Sequence, residues 1–295
     1  MTLSRRSLLA GPAILLQAVP RRGLAGSGRV VCVGGALTES AFALGQGDRV
    51  IAVDTTSLFP AAALGLPRIG YLRSLPTEGI LSLSPDLLLL SDEAGPPGAV
   101  AVLRAARLPV FTVADRAGPG AAEAKLAAVG AALGADATAI AAAMAGDWQL
   151  LDLPIAAVRS PPRVLFVLSL ARGAPLVSGG GTHADAAITA AGGVNVVHQW
   201  QGYRPLSAES AASLAPDIIL FMAHVLEEIG GPAVAAQATA LAVTPAVRAG
   251  RVVALDGPLM LGFGPRAAAG RAALAALLLP DLALPRLPER PWTAA

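Results

Sequence analysis

Two stretches of this chain repeat one another. LPTEGILSLSPDLLLL, residues 75–90, lies without a gap over LSAESAASLAPDIILF, residues 206–221. Each has Leu, two residues and Glu, then a Ser-Leu-x-Pro-Asp whose Asp falls eight residues after the Glu, then an apolar run. A short helix, stopped by Pro-Asp and followed by a strand, accounts for both. Glu78 and Glu209 then sit in the first helical turn, where a negative charge suits the helix N-terminus. A unit used twice on this scale calls for two lobes built on one plan.

The rest of the chain supports that reading. Short β-branched runs alternate with Ala/Leu segments. Candidate strands are RVVCV (29–33), RVIAV (49–53), DLLLL (86–90) and PVFTV (109–113), with helices over 38–45 and 99–107. The rhythm returns in RVLFVL (163–168), VNVV (194–197), DIILF (217–221) and RVVAL (251–255), with helices around 184–191 and 264–279. Such alternation predicts an α/β fold of two Rossmann-like lobes with mainly parallel sheets. Between them, residues 118–154 open on Gly118-Pro119-Gly120 and run Ala-rich at helical spacing, which predicts one long connecting α-helix of roughly 45 Å. Gly130 and Gly134 within it each cost about 1 kcal/mol relative to Ala. The expected layout is a signal peptide at 1–25, a first lobe at 26–117, the connecting helix at 118–154 and a second lobe at 155–295.

Mean hydropathy is +0.61 and charged residues are only 14%, yet the apolar runs have the length of buried strands rather than the roughly 20 residues of a membrane span. The N-terminus, MTLSRRSLLAGPAILLQAVPRRGLAG, has a charged start, a short apolar core and small residues near Ala25, the layout of an export signal. SRRSLL, with Arg5 and Arg6, has the form of a twin-arginine signal, against the plainer reading of a general secretory signal. Cleavage after Ala25 removes four arginines and no acid, so the net charge moves from +2 to −2. The basic balance therefore belongs to the targeting segment and gives no reason to expect nucleic acid as a partner. A lone Cys32, in a strand-like run, excludes an internal disulfide and reads as a core residue. No Gly-x-Ser-x-Gly elbow or His-Glu-x-x-His helix marks an enzyme. GGALTES after the first strand lacks dinucleotide-loop spacing, and three histidines with one cysteine make a poor zinc set.

Residues 35–90, followed by EAGPPGAV (93–100), resemble the haem-binding periplasmic component of bacterial haemin ABC importers. GGGTHADAAITAAGGVN (179–195), GYRPLSAES (202–210) and GFGPR (262–266) resemble its second lobe. The two-lobe plan is shared with binding proteins for cobalamin and ferric siderophores, so the fold alone does not choose the ligand. The resemblance implies a protein that is not an enzyme: a monomeric periplasmic receptor that carries haem to an inner-membrane ABC permease. It implies that Tyr71, in IGYLR, is an axial haem ligand. A phenol titrates near ~10, but ferric iron and a nearby guanidinium both favour the phenolate, a form of haem ligation known from catalase. Arg73, two residues on, would share Tyr71's face on a strand and steady the phenolate or a propionate. Arg266 and Tyr203 are further pocket candidates, each weighed against a surface or vestigial role. His183, behind a Thr182 cap with Asp185 three residues on, is the candidate second axial ligand, against a surface histidine. His198 and His224 adjoin strands and are weaker candidates. Glu78 and Glu209, one per lobe, would dock against permease arginines. A siderophore already fills the coordination sphere of its iron, which would leave Tyr71 idle.

Overall fold

VVCV forms the central strand β1 (Val30–Val33), with all four side chains fully buried. The computed structural model describes residues 28–171 and 174–294; the expected signal peptide lies outside them. A strand apolar on both faces belongs inside a parallel sheet covered by helices. The first lobe provides this with α1 (Gly35–Ala43), β2 (Val50–Val53), α2 (Ala61–Leu64), α3 (Thr77–Ser82), β3 (Leu87–Ser91), α4 (Pro97–Ala105) and β4 (Val110–Val113). Strand order is β2-β1-β3-β4 and every pair is parallel. Each buried Val or Leu here contributes roughly 1.5–3 kcal/mol.

The expected single connecting helix is three: α5 (Ala121–Leu133), α6 (Thr138–Gln149) and α7 (Asp152–Ala156). Gly134 is the reason for the first break. It adopts a left-handed conformation (φ 70°) that ends α5. Gly130 lets the chain fold back, since a Cβ there would lie 2.8 Å from the carbonyl oxygen of Ala135. Val129 and Leu133 of α5 pack into the first lobe's core, whereas Leu151 and Ile155 belong to the core of the second.

The second lobe follows with β5 (Arg163–Ala171), β6 (Ala174–Ser178), α8 (His183–Ala190), β7 (Val194–Asn195), β8 (Tyr203–Pro205), α9 (Ala208–Leu214), β9 (Ile218–Met222) and α10 (Ala223–Glu228). Three single turns, α11 (Pro232–Ala235), α12 (Thr239–Ala242) and α13 (Pro245–Arg248), lead to β10 (Val252–Leu255), α14 (Gly257–Leu261) and α15 (Ala267–Leu278). Its sheet is mixed, in the order β10-β9-β5-β6-β8, with β7 beside β5. β9, β10 and β7 join in parallel, whereas β6 and β8 are antiparallel. β6 follows β5 after two residues, far too few for the crossover that a parallel partner needs.

The internal repeat survives in atomic detail. Asp86 Oδ2 accepts the Arg29 N–H at 2.7 Å, and Asp217 Oδ2 accepts the Arg163 N–H at 2.9 Å. Each arginine reaches back with Nη2 to the carbonyl oxygen of the leucine ending the short helix, Leu83 at 3.0 Å and Leu214 at 2.7 Å. Ser84 and Ala215, equivalent positions, both take positive φ, 47° and 42°. The Pro-Asp of each copy thus locks the entry of the central strand to the strand that follows.

Candidate functional site

A cavity of about 740 Å³ lies between the lobes, within the ~300–1,000 Å³ range of ligand sites. The loops at the C-terminal ends of parallel strands build its first-lobe wall. Gly34 (φ 122°) turns the chain from β1 into α1, and its N–H donates to Asp54 Oδ1 at 2.9 Å. Gly35 packs so tightly on the next loop that a Cβ would stand 2.6 Å from the carbonyl oxygen of Thr56. Asp54, fully buried, also accepts from the hydroxyls of Thr56 (2.6 Å) and Ser57 (2.8 Å). The loop fixed in this way presents Leu58, 48% exposed, to the cavity.

Tyr71 lines the same wall and is 45% exposed. It sits at the start of a turn, not on a strand, so the shared strand face considered for Tyr71 and Arg73 does not apply: Gly70 has φ 98°, and the Ser74 N–H donates to the Tyr71 carbonyl at 2.9 Å. The turn still brings Arg73 to Tyr71. Partial burial opposes the Arg73 charge, but Glu93 and then the Tyr71 phenol raise its pKa above the ordinary guanidinium value. Glu93 Oε2 is 2.7 Å from Arg73 Nη2. Glu93 joins the site without having been singled out by the sequence pattern; its one local signal is an acid two residues after the buried strand β3.

Tyr203, at the start of β8, belongs to this group from the other lobe. Burial raises its pKa, opposed by a hydrogen bond with Thr182 and the Arg73 charge, while Glu93 adds to the rise. Tyr71, Arg73, Glu93 and Tyr203 therefore form one electrostatic cluster.

Arg266 is elsewhere. Its guanidinium binds Glu39 of α1 through two bonds, 3.0 and 2.6 Å, and stacks 3.6 Å over the ring centroid of Phe59. Both partners are nearly buried, with side-chain exposures of 13% and 6%. The GFGPR stretch seats against α1, where a Cβ on Gly264 would lie 3.2 Å from Ala36 Cβ. Arg266 thus ties the lobes together and does not line the cavity.

His183 opens α8 as expected, with Thr182 Oγ1 accepting the Asp185 N–H at 3.0 Å. Its Nε2 lies 3.3 Å from Asp115 Oδ1, and its ring packs 5.9 Å from Phe263. The same carboxylate oxygen takes Lys125 Nζ at 2.6 Å, and that amine also donates to the Gly262 carbonyl at 2.7 Å. Burial alone would raise the Asp115 pKa; His183 and Lys125 overcome it and hold the carboxyl at about 2. Lys125 is the only lysine in the chain and its side chain is 1% exposed. Asp115 and Lys125 lie at the cavity, His183 outside it. His224, ranked low from sequence, lines the second-lobe wall; His198 does not. Among the described residues no group of three or more metal-binding side chains comes together, and no helix is long and apolar enough to cross a membrane. Glu78 and Glu209 stand exposed in the first turns of α3 and α9.

Solved structures of like shape are periplasmic binding proteins. One is a periplasmic haem-binding protein, BhuT, solved with two haems: 42% identity, 88% of this chain, all of that one, TM-score 0.83. A second, RhuT from Roseiflexus sp. RS-1, is 36% identical over 86% of this chain and 98% of its own, TM-score 0.82. A third, a periplasmic haem-binding protein from Pseudomonas aeruginosa, is 35% identical over 88% of this chain and 95% of its own, TM-score 0.80. The curated relatives include a vitamin B12-binding protein of Vibrio cholerae, 33% identical over 97 residues, so the chain spans about a third of that relative's length. The periplasmic binding protein family profile matches residues 30–259. Two parallel-centred lobes, a cavity between them and that match lead to one conclusion: the chain belongs to the periplasmic binding protein family.

Proposed function

We propose that this chain captures haem between its lobes, with Tyr71 as axial ligand, and delivers it to an ABC permease of the inner membrane. The observation that carries the reading is Tyr71 itself, a half-exposed phenol on the wall of a cavity of about 740 Å³, with the Arg73 guanidinium beside it. Ferric iron prefers an anionic oxygen, and a neighbouring cation stabilises that anion. Leu58, Leu72 and Leu261 give the cavity the apolar walls that a porphyrin face needs. Arg73 and Tyr203 do not line the cavity but are coupled to Tyr71 and Glu93 beside it, where they give polar contacts to the bound ligand, and Arg266 links the two walls through Glu39. Glu78 and Glu209, equivalent and exposed on the two lobes, meet arginines of the permease. Residues 26–117 and 155–295 act as the two lobes and 118–154 as the joint between them. The protein is exported through a twin-arginine signal over residues 1–25 and works as a monomer, with neither nucleic acid nor a reaction on its ligand involved.

Cobalamin is the second reading, favoured by the curated relatives named for vitamin B12. A cobalamin or ferric-siderophore site gives the Tyr71–Arg73 pair no task, whereas haem iron uses both. The test is titration of the mature protein with ferric haemin and with cobalamin, followed by visible absorption. Wild type is expected to bind haemin and to show a phenolate-to-iron charge-transfer band that Tyr71→Ala lacks. Binding of cobalamin but not haemin sinks the proposal, and an unchanged spectrum in Tyr71→Ala removes the ligand assignment.

A further inference from the structure

We infer that His224, and not His183, is the ligand that the second lobe offers to the iron. The inference rests on the haem-receptor reading and extends it to the opposite wall. His183 is occupied: its Nε2 faces Asp115 Oδ1 at 3.3 Å, its ring packs on Phe263, and it lies outside the cavity. A ligand nitrogen needs its lone pair directed at the metal, and Nε2 of His183 is instead turned to the Asp115 carboxylate. His224 has the opposite environment. It follows β9, lines the cavity on the lobe that faces Tyr71, and is exposed. Neither of its ring nitrogens makes a hydrogen bond among the described residues.

The other second-lobe side chains at the cavity compete poorly for ferric iron. Met222 offers a thioether, a soft donor, whereas imidazole suits iron in either common oxidation state. Glu228, also exposed, lies a helical turn beyond His224 and would bring a second anion to an iron already bound by phenolate. Gly257 lies beside this ring and is packed on Met222: a Cβ there would stand 3.0 Å from the Met222 sulfur and in ordinary contact, 3.5 Å, with His224 Cε1. The two walls thus present one phenol and one free imidazole to a ligand between them. Bond formation needs no redox partner: the neutral imidazole donates a nitrogen lone pair, and the iron gains a sixth ligand.

The test uses protein labelled with ¹⁵N-histidine and loaded with unlabelled ferric haemin. Pulsed EPR reads ¹⁵N coupling to the iron, and resonance Raman reads the coordination number. Wild type and His183→Ala are expected to show the coupling and six-coordinate haem; His224→Ala is expected to lose the coupling, and added imidazole to restore six-coordination. Haemin transfer to a competing acceptor should speed up about 10–100-fold in His224→Ala, the range seen even for a lost outer-shell partner of a metal. Substitution at an exposed position leaves the fold intact, which an unchanged melting temperature verifies. Wild-type protein that binds haemin without ¹⁵N coupling overturns the inference, as does loss of coupling in His183→Ala alone. Wild-type protein that binds no haemin overturns the receptor reading beneath it, which separates the two failures.

Discussion

Replacing Arg266 with alanine leaves the Glu39 carboxylate buried between the lobes without its partner. The guanidinium makes two hydrogen bonds to Glu39, at 3.0 and 2.6 Å, and lies 3.6 Å over Phe59. Removing one member of a buried pair costs about 3–5 kcal/mol, and the lost stacking on Phe59 adds up to about 2 kcal/mol. A total near 5 kcal/mol corresponds to a melting temperature lower by roughly 10–20 °C for a chain of this size. The loss should also depend on pH. Burial raises the Glu39 pKa above the usual carboxylate value, with Arg266 opposing the rise. Without Arg266 the folded state holds a proton that the unfolded chain releases, so stability falls as pH climbs through that window. The deficit of Arg266→Ala should therefore be greater at pH 8 than at pH 5. Replacing both residues with leucine should recover most of the loss, because a buried ion pair exchanged for apolar side chains is often neutral or better. Thermal and urea unfolding of the mature protein at the two pH values checks all three points. A loss under about 1 kcal/mol, the value of an exposed pair, or one independent of pH, would refute the placement of this pair as a buried strut.

Other outcomes follow from the same structure. Asp115 is held at about 2, so its contribution of about 2 kcal/mol is complete above its unfolded pKa near ~3.9 and fades as pH falls toward 2. His183→Ala should shrink that acid-side contribution, read as a smaller fall in melting temperature between pH 5 and pH 2.5. Cys32 is fully buried, and burial followed by the Asp54 charge pushes its thiol up to about 12; a thiol reagent at pH 7.5 should label it only after unfolding. Reversing both docking charges, Glu78→Lys with Glu209→Lys, should leave haemin binding unchanged. It should weaken stimulation of permease ATPase activity by more than tenfold, since like charges placed across an interface cost several kcal/mol.

The two-lobed α/β plan is legible in local sequence, because burial and turn formation are written there. Continuous apolar runs marked the buried strands, and the repeated Ser-Leu-x-Pro-Asp marked a unit used twice; Asp86 and Asp217 indeed perform one task at equivalent places. The Thr182 cap and the core position of Cys32 were legible for the same reason. The short edge strands β6 and β8 were not, since a three-residue strand containing Pro205 carries almost no periodic signal. Nor was the break at Gly134, where a left-handed cap and a glycine inside a helix look alike in sequence. The site was divided in the same way. Tyr71, Arg73 and Glu78 lie in one short segment, so their nearness to one another is legible locally. What Arg266 touches was decided 227 residues away at Glu39, and which histidine stays free was decided by the packing of Asp115 and Phe263 on His183. Those outcomes depend on where the second lobe lands against the first. A charge takes the nearest opposite charge once water is excluded, and only the closed tertiary structure sets which one that is.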